Sequence, residues 1–83
     1  MNIIQTSIFV ILKRFPDREG IIKRIFSGDD NFKTACEDFQ QCSEVLRYWN
    51  QSTETQAPAR RKEYEALLNE LEQEIKQRLI EAA

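Results

Sequence analysis

The sequence predicts an all-α domain in which short N-terminal helices precede a long antiparallel helical hairpin. Only two glycines and two prolines occur among the 83 residues, so few positions interrupt a helix. The hydrophobic content of 41% and the charged content of 31% are typical of a folded chain rather than a disordered one. Apolar residues also recur at helical spacing in two long stretches. We therefore expect one domain over residues 1–83, with short helices in 1–28 and the hairpin in 29–83.

The stretch 30–52 has the clearest helical pattern. Its apolar side chains fall at intervals of three and four residues, at Phe32, Ala35, Phe39, Cys42, Leu46 and Trp49. This spacing places them in one stripe, which must lie against another helix to leave water. Asp29 or Asp30 is expected to cap the N-terminus of this helix through its side-chain oxygens. The pattern predicts a helix of about 22 residues, or roughly 33 Å.

A second long helix is predicted near the C-terminus. The polar stretch 50–57 is predicted to be a loop, and Pro58 suits the first turn of the helix that follows. This helix is expected to continue to about Glu81, and Glu72 is placed to pair with Lys76 one turn later. Its apolar stripe comprises Tyr64, Leu67, Leu68, Leu71, Ile75, Leu79 and Ala82. A short loop between two helices of similar length predicts an antiparallel hairpin.

The first 15 residues fit two local structures. Ile4, Ile8, Ile11 and Phe15 are spaced as one face of a helix. The block 8–12 is rich in β-branched residues, which favour a strand. We prefer the helix, because the chain offers no second strand-like segment with which this one could pair.

Another short helix is predicted after Phe15. A proline disfavours the helical conformation in the residue before it, and Pro16 therefore separates the first helix from the next. The apolar residues of this second helix form one edge, at Ile21, Ile22, Ile25 and Phe26. Gly28 is expected to end the helix in the left-handed conformation that glycine adopts without strain.

The composition argues against several classes of function. No histidine is present, which removes the commonest metal ligand and general base. Cys36 and Cys42 have a spacing that fits neither a redox pair nor a zinc site, and one helix would hold them too far apart for a disulfide. We expect no enzyme activity, no cofactor and no bound metal. Two reduced, buried cysteines indicate a cytoplasmic protein. The apolar block near the N-terminus is too short to span a membrane.

Assembly is the function that the apolar pattern favours. Both apolar stripes are wider than the contact between two helices of one hairpin requires. The first is flanked by Cys36, Val45 and Tyr48, and the second by Leu67. The surplus exceeds the apolar patch that a monomer usually exposes, so we expect a homodimer that packs as a four-helix bundle. The predicted partner and assembly seam comprises Phe32, Phe39, Leu46, Trp49, Leu68, Leu71 and Ile75. The predicted function is a small non-enzymatic interaction protein that presents a helical face to a protein partner.

A basic triplet supports an alternative function. Arg60, Arg61 and Lys62 lie at the start of the last helix and form a weak candidate anion patch. Four further cations would extend the patch if they lay nearby, namely Lys13, Arg14, Lys23 and Arg24. Such a patch would suit a small nucleic-acid-binding or regulatory protein. The net charge of −2 argues against nucleic acid and against an anionic membrane as partners.

The order of several short motifs is similar to that of a known family. The motifs are Arg14-Phe15-Pro16-Asp17, Ile22 with Phe26, Asp29-Asp30, Phe32 and Phe39, followed by a long helix rich in Glu, Lys, Arg and Leu. In this order the chain resembles the YdcH-like family of small helical-hairpin proteins. The resemblance implies a helix, a Phe-Pro-acid turn, a capped helix and a hairpin, and it implies no activity. The chain departs from the family at Ala35-Cys36 and Phe39, where a leucine and a tyrosine are frequent.

Overall fold

A computed structural model describes residues 6–83, and this part of the chain is entirely helical and contains no strand. Four α-helices are present within it: α1 (Thr6–Arg14), α2 (Glu19–Gly28), α3 (Asp30–Gln51) and α4 (Ala57–Ala82). A single 3₁₀ turn, Pro16–Arg18, connects α1 to α2. The molecule is elongated, with principal extents of 43 × 32 × 21 Å. The prediction of an all-α fold is confirmed.

The segment that fitted both a helix and a strand is helical over Thr6–Arg14. The part of the prediction that concerns residues 1–5, including Ile4, lies outside the described residues. Ile11 is fully buried, and Ile8 and Phe15 pack against the same core, so the helical stripe faces inward. The β-branched side chains therefore do not decide the local structure, because burial of one helical face outweighs their modest preference for strands.

The junction between α2 and α3 corrects one prediction. Gly28 is not in the left-handed conformation; it is the last residue of α2, and none of the described glycines has a positive φ. Asp29 ends α2 instead, with an extended backbone (φ −133°, ψ 104°) and its N–H donating to the Ile25 carbonyl. Its side chain accepts hydrogen bonds from the N–H groups of Asn31 and Phe32, at 2.9 and 3.2 Å. Asp29 is therefore the predicted cap of α3, and the turn needs no glycine because one extended residue makes it.

The connection between α3 and α4 is shorter than predicted. Asn50 and Gln51 belong to α3 and Ala57 to α4, which leaves residues 52–56 between the helices. Pro58 lies in the first turn of α4, as predicted. The Trp49 carbonyl is among the terminal carbonyls of α3 that cannot bond within the helix in the usual way, and it accepts a hydrogen bond from the Arg61 guanidinium at 3.2 Å.

All four helices contribute to one hydrophobic core. Its buried members are Ile11, Ile22, Phe26, Phe32, Ala35, Cys36, Phe39, Ile75 and Leu79. Phe32 is the largest fully buried side chain. Each large side chain of this kind stabilises the fold by roughly 1.5–3 kcal/mol. The core lies against the N-terminal half of α3 and the C-terminal half of α4, so it occupies one end of the two long helices.

Polar contacts attach the short helices to α4. The Arg14 guanidinium of α1 donates to both carboxylate oxygens of Glu72, at 2.8 and 2.9 Å. The structure thus joins Glu72 to a residue far away in the sequence, whereas the sequence predicted Lys76 one turn later. Arg24 of α2 donates to the carbonyl of Ala82 at 2.7 Å. Since Arg14 is half exposed, its ion pair is worth less than about 1 kcal/mol and mainly orients α1.

The cap of α3 yields a testable prediction. We expect Asp29→Ala to lower the free energy of unfolding by about 1 kcal/mol, because two N–H groups of α3 lose their acceptor. Urea denaturation followed by circular dichroism at fixed protein concentration measures this change. Asp30→Ala is the matched control, since it removes a first-turn carboxylate that makes no cap bond. Equal losses in the two variants would show that the cap bonds contribute nothing beyond the helix dipole.

Candidate functional site

The ends of α3 and α4 that lie near their connection pack mainly against each other. The Cys42 thiol donates to the Tyr64 carbonyl at 3.5 Å, and the Trp49 carbonyl accepts from Arg61. These contacts pair residues of the two helices in opposite sequence order. Several apolar side chains in this region are only half-buried, namely Val45, Leu46, Trp49, Tyr64 and Leu68. This end of the helix pair is therefore less covered than the end that holds the core.

An open groove runs along one side of this helix pair. Its volume is about 290 Å³, and it is lined by Asp38, Gln41, Cys42, Val45, Tyr64, Leu67 and Leu71. All of these residues belong to α3 or α4. The floor is largely apolar, and Leu67 has 42% of its surface exposed. Tyr48, one helical turn beyond Val45, is 54% exposed. The groove is thus an apolar surface that two helices form and the described part of the chain leaves open.

Two ion pairs within α4 lie on either side of Leu67 in the sequence. Arg60 pairs with Glu63 at 2.9 Å, and Glu74 pairs with Arg78 at 3.3 Å. The Arg60 side chain remains 51% exposed and that of Glu74 48% exposed. Charges of both signs therefore occur along α4 before and after Leu67, at positions that water reaches.

The predicted seam residues fall into two groups in the structure. Phe32, Phe39 and Ile75 lie in the core of the chain itself, with at most 5% exposure. Leu46, Trp49, Leu68 and Leu71 are half-buried, and of these Leu71 lines the groove. Only the second group can contribute to an interface with another molecule without disrupting the core. Leu67, which the predicted seam omitted, lies in the groove and is more exposed than its neighbour Leu68.

The basic triplet does not form one cluster of free cations. Arg60 pairs with Glu63, Arg61 reaches the Trp49 carbonyl, and Lys62 is exposed. Three of the cations that were expected to extend the patch are also engaged: Arg14 with Glu72, Lys23 with Glu19, and Arg24 with the Ala82 carbonyl. The anion patch stays a prediction, and these contacts leave less positive charge for an anionic ligand.

Both cysteines are free and buried. Burial, with a smaller contribution from the negative charge of Glu37, raises the pKa of the Cys36 thiol to about 12. Burial also raises the pKa of Cys42. These thiols are therefore protonated near neutral pH, which makes them poor nucleophiles and poor metal ligands. Within residues 6–83, no group of three or more His, Cys, Asp or Glu side chains is arranged to hold a metal ion.

Comparison with protein-family models, with curated proteins and with solved structures finds no match for this chain. In the part of the chain that the structure describes, none of the helices combines the length and the apolar character needed to cross a membrane.

The Cys36 environment predicts a pH dependence. A folded-state pKa of about 12 against 9.0 for the free thiol means that the folded protein binds this proton more tightly. The resulting stabilisation is present below pH 9 and is lost as the pH rises from 9 to 12. At pH 9 we expect iodoacetamide to alkylate Cys36 at least about a hundredfold more slowly in the native protein than in 8 M urea, because thiolate is scarce and buried.

Peptide mass spectrometry distinguishes Cys36 from Cys42, which serves as an internal comparison because its thiol is slightly more accessible. Alkylation of native Cys36 at the rate found in urea would contradict its burial in the core.

Proposed function

We propose that the chain is a non-enzymatic structural protein whose α3 and α4 form an antiparallel hairpin that pairs with a second copy. In the resulting homodimer, the grooves of two copies face each other and the four long helices pack as a bundle. The observation that carries this proposal is the open apolar groove around Leu67. Exposure of Leu67 on α4 and of Tyr48 on α3, beside the half-buried Val45, is unfavourable in water, and burial against a second apolar surface removes this cost.

Helix geometry supports a partner of the same shape. α3 and α4 contain 22 and 26 residues, or roughly 33 and 39 Å, so they offer a long surface. A two-fold axis at the groove brings together two such surfaces, which is the common arrangement of four-helix bundles. Free thiols persist in a reducing compartment, which supports placement of the protein in the cytoplasm.

Further apolar side chains lie outside the groove and support binding of a protein partner in addition. Phe9 on α1 is 60% exposed and Ile80 on α4 is 62% exposed. Ile80 lines a separate depression together with Phe15. We propose that the dimer presents such helical faces to another protein.

Leu67→Glu tests the dimer interface. We expect the wild-type chain to have the mass of a dimer in size-exclusion chromatography with light scattering. The variant should dissociate at least about a hundredfold more readily, because dimerisation would bury two unpaired carboxylates. Circular dichroism should show unchanged helicity, since Leu67 is already 42% exposed within the chain.

Ile80→Glu is the matched control, because it places the same carboxylate on α4 at an exposed position away from the groove. This variant should remain a dimer. A wild-type monomer at about 100 µM, or a Leu67→Glu variant of undiminished mass, would refute the proposal.

A further inference from the structure

One charge pattern on α4 identifies how two copies would align. Arg60, Leu67 and Glu74 are separated by seven residues each. Seven residues are nearly two helical turns, so the three side chains lie on the same face, and neighbours are roughly 10.5 Å apart along the axis. All three are substantially exposed, at 51% for the Arg60 side chain, 42% for Leu67 and 48% for the Glu74 side chain. This face therefore has an apolar centre, a cation on one side and an anion on the other.

We propose that two copies of α4 pack antiparallel across a two-fold axis at Leu67, with Arg60 of each copy opposite Glu74 of the other. This inference rests on the proposed dimer and specifies its register. A two-fold axis at residue 67 places position 67 + n of one helix opposite position 67 − n of the other. Leu67 then meets its own counterpart, and two symmetry-related ion pairs flank that apolar contact.

The charges at positions 60 and 74 also bear on the direction in which the two helices pack. In the antiparallel register, opposite charges meet. A parallel alignment would instead set Arg60 against Arg60 and Glu74 against Glu74, and like charges that face each other are unfavourable. The pattern thus discriminates between the two directions in which the helices can pack.

The ion pairs within α4 are compatible with this arrangement. Arg60 already binds Glu63 through one terminal nitrogen, and Glu74 binds Arg78 through one carboxylate oxygen. A guanidinium carries five N–H donors and a carboxylate has about four acceptor positions, so each group accommodates a second partner. In the dimer, the pairs extend into charge networks across the interface.

A charge-reversal cycle tests the register. Arg60→Glu and Glu74→Arg are each expected to weaken dimerisation by about tenfold at about 0.1 M salt, because two attractive pairs become repulsive. The double variant should recover wild-type affinity to within about threefold, because each introduced carboxylate would then face an introduced guanidinium across the axis. Sedimentation equilibrium measures the dissociation constants, and circular dichroism confirms equal helicity. The differences should shrink in 1 M NaCl, where charges are screened within about 3 Å.

Recovery in the double variant can arise only between copies. Positions 60 and 74 are roughly 21 Å apart within one helix, about twice the screening length at 0.1 M salt. Arg60→Glu combined with Glu81→Arg is the matched control, because position 81 lies beyond the reach of position 60 in this register, and its affinity should stay low. If the wild-type chain is a dimer but the double variant loses as much affinity as the two single variants together, the register is overturned and the proposed dimer stands. A monomeric wild-type chain would overturn both.

Discussion

The fold depends on the burial of Phe32 at the start of α3. Its ring is fully buried in the core that all four helices share. Its backbone N–H is held by the Asp29 side chain, which also begins α3. Capping and core packing therefore act on the same residue. The cap sets the direction in which α3 leaves the turn, and the Phe32 ring lies in the core that includes Ile22 and Ile75. If the Asp29 cap is lost, the first turn of α3 frays and the Phe32 ring shifts from its place in the core. If the ring is lost, the same turn frays and its N–H groups lose their acceptor.

Unequal helix lengths explain why the apolar surface is only partly covered. α1 and α2 have 9 and 10 residues, whereas α3 and α4 have 22 and 26. Within residues 6–83, two helices of roughly 14 and 15 Å do not cover a pair that extends for more than twice that length. They pack where the long helices carry their largest buried side chains. The groove at the other end follows from this mismatch, and the hydrophobic residues there are the ones that the proposed dimer would bury.

The sequence predicted the parts of the fold that depend on local chemistry. The three–four spacing identified Phe32 and Phe39 as buried, and a carboxylate at Asp29 or Asp30 was predicted to cap α3; the cap is Asp29. The spacing placed Leu68 in the predicted seam and Leu67 on its flank, since adjacent residues differ by about 100° around a helix, but it did not show that Leu67 would lie in an open groove. Which of the two faces the open groove depends on where α1 and α2 pack, and that is a long-range property. The prediction that Gly28 adopts the left-handed conformation was wrong for a related reason. A residue with an extended backbone turns the chain equally well, and the sequence does not distinguish an extended Asp29 from a left-handed Gly28.

The pairing of Glu72 shows how such a long-range contact determines the candidate site. Sequence reasoning considers partners one turn away, and it therefore selected Lys76, whereas the fold brings Arg14 of α1 to this carboxylate. Position 72 lies about 140° around α4 from position 67, so Arg14 at the end of α1 meets α4 on the flank away from Leu67. With α1 on that side, the described chain has no helix left to cover the face that bears Arg60, Leu67 and Glu74. The ion pair is weak in energy and does not position α1 by itself, because α1 packs mainly against α3 through its buried face; it marks the side of α4 that α1 approaches, and the opposite face stays available to another molecule.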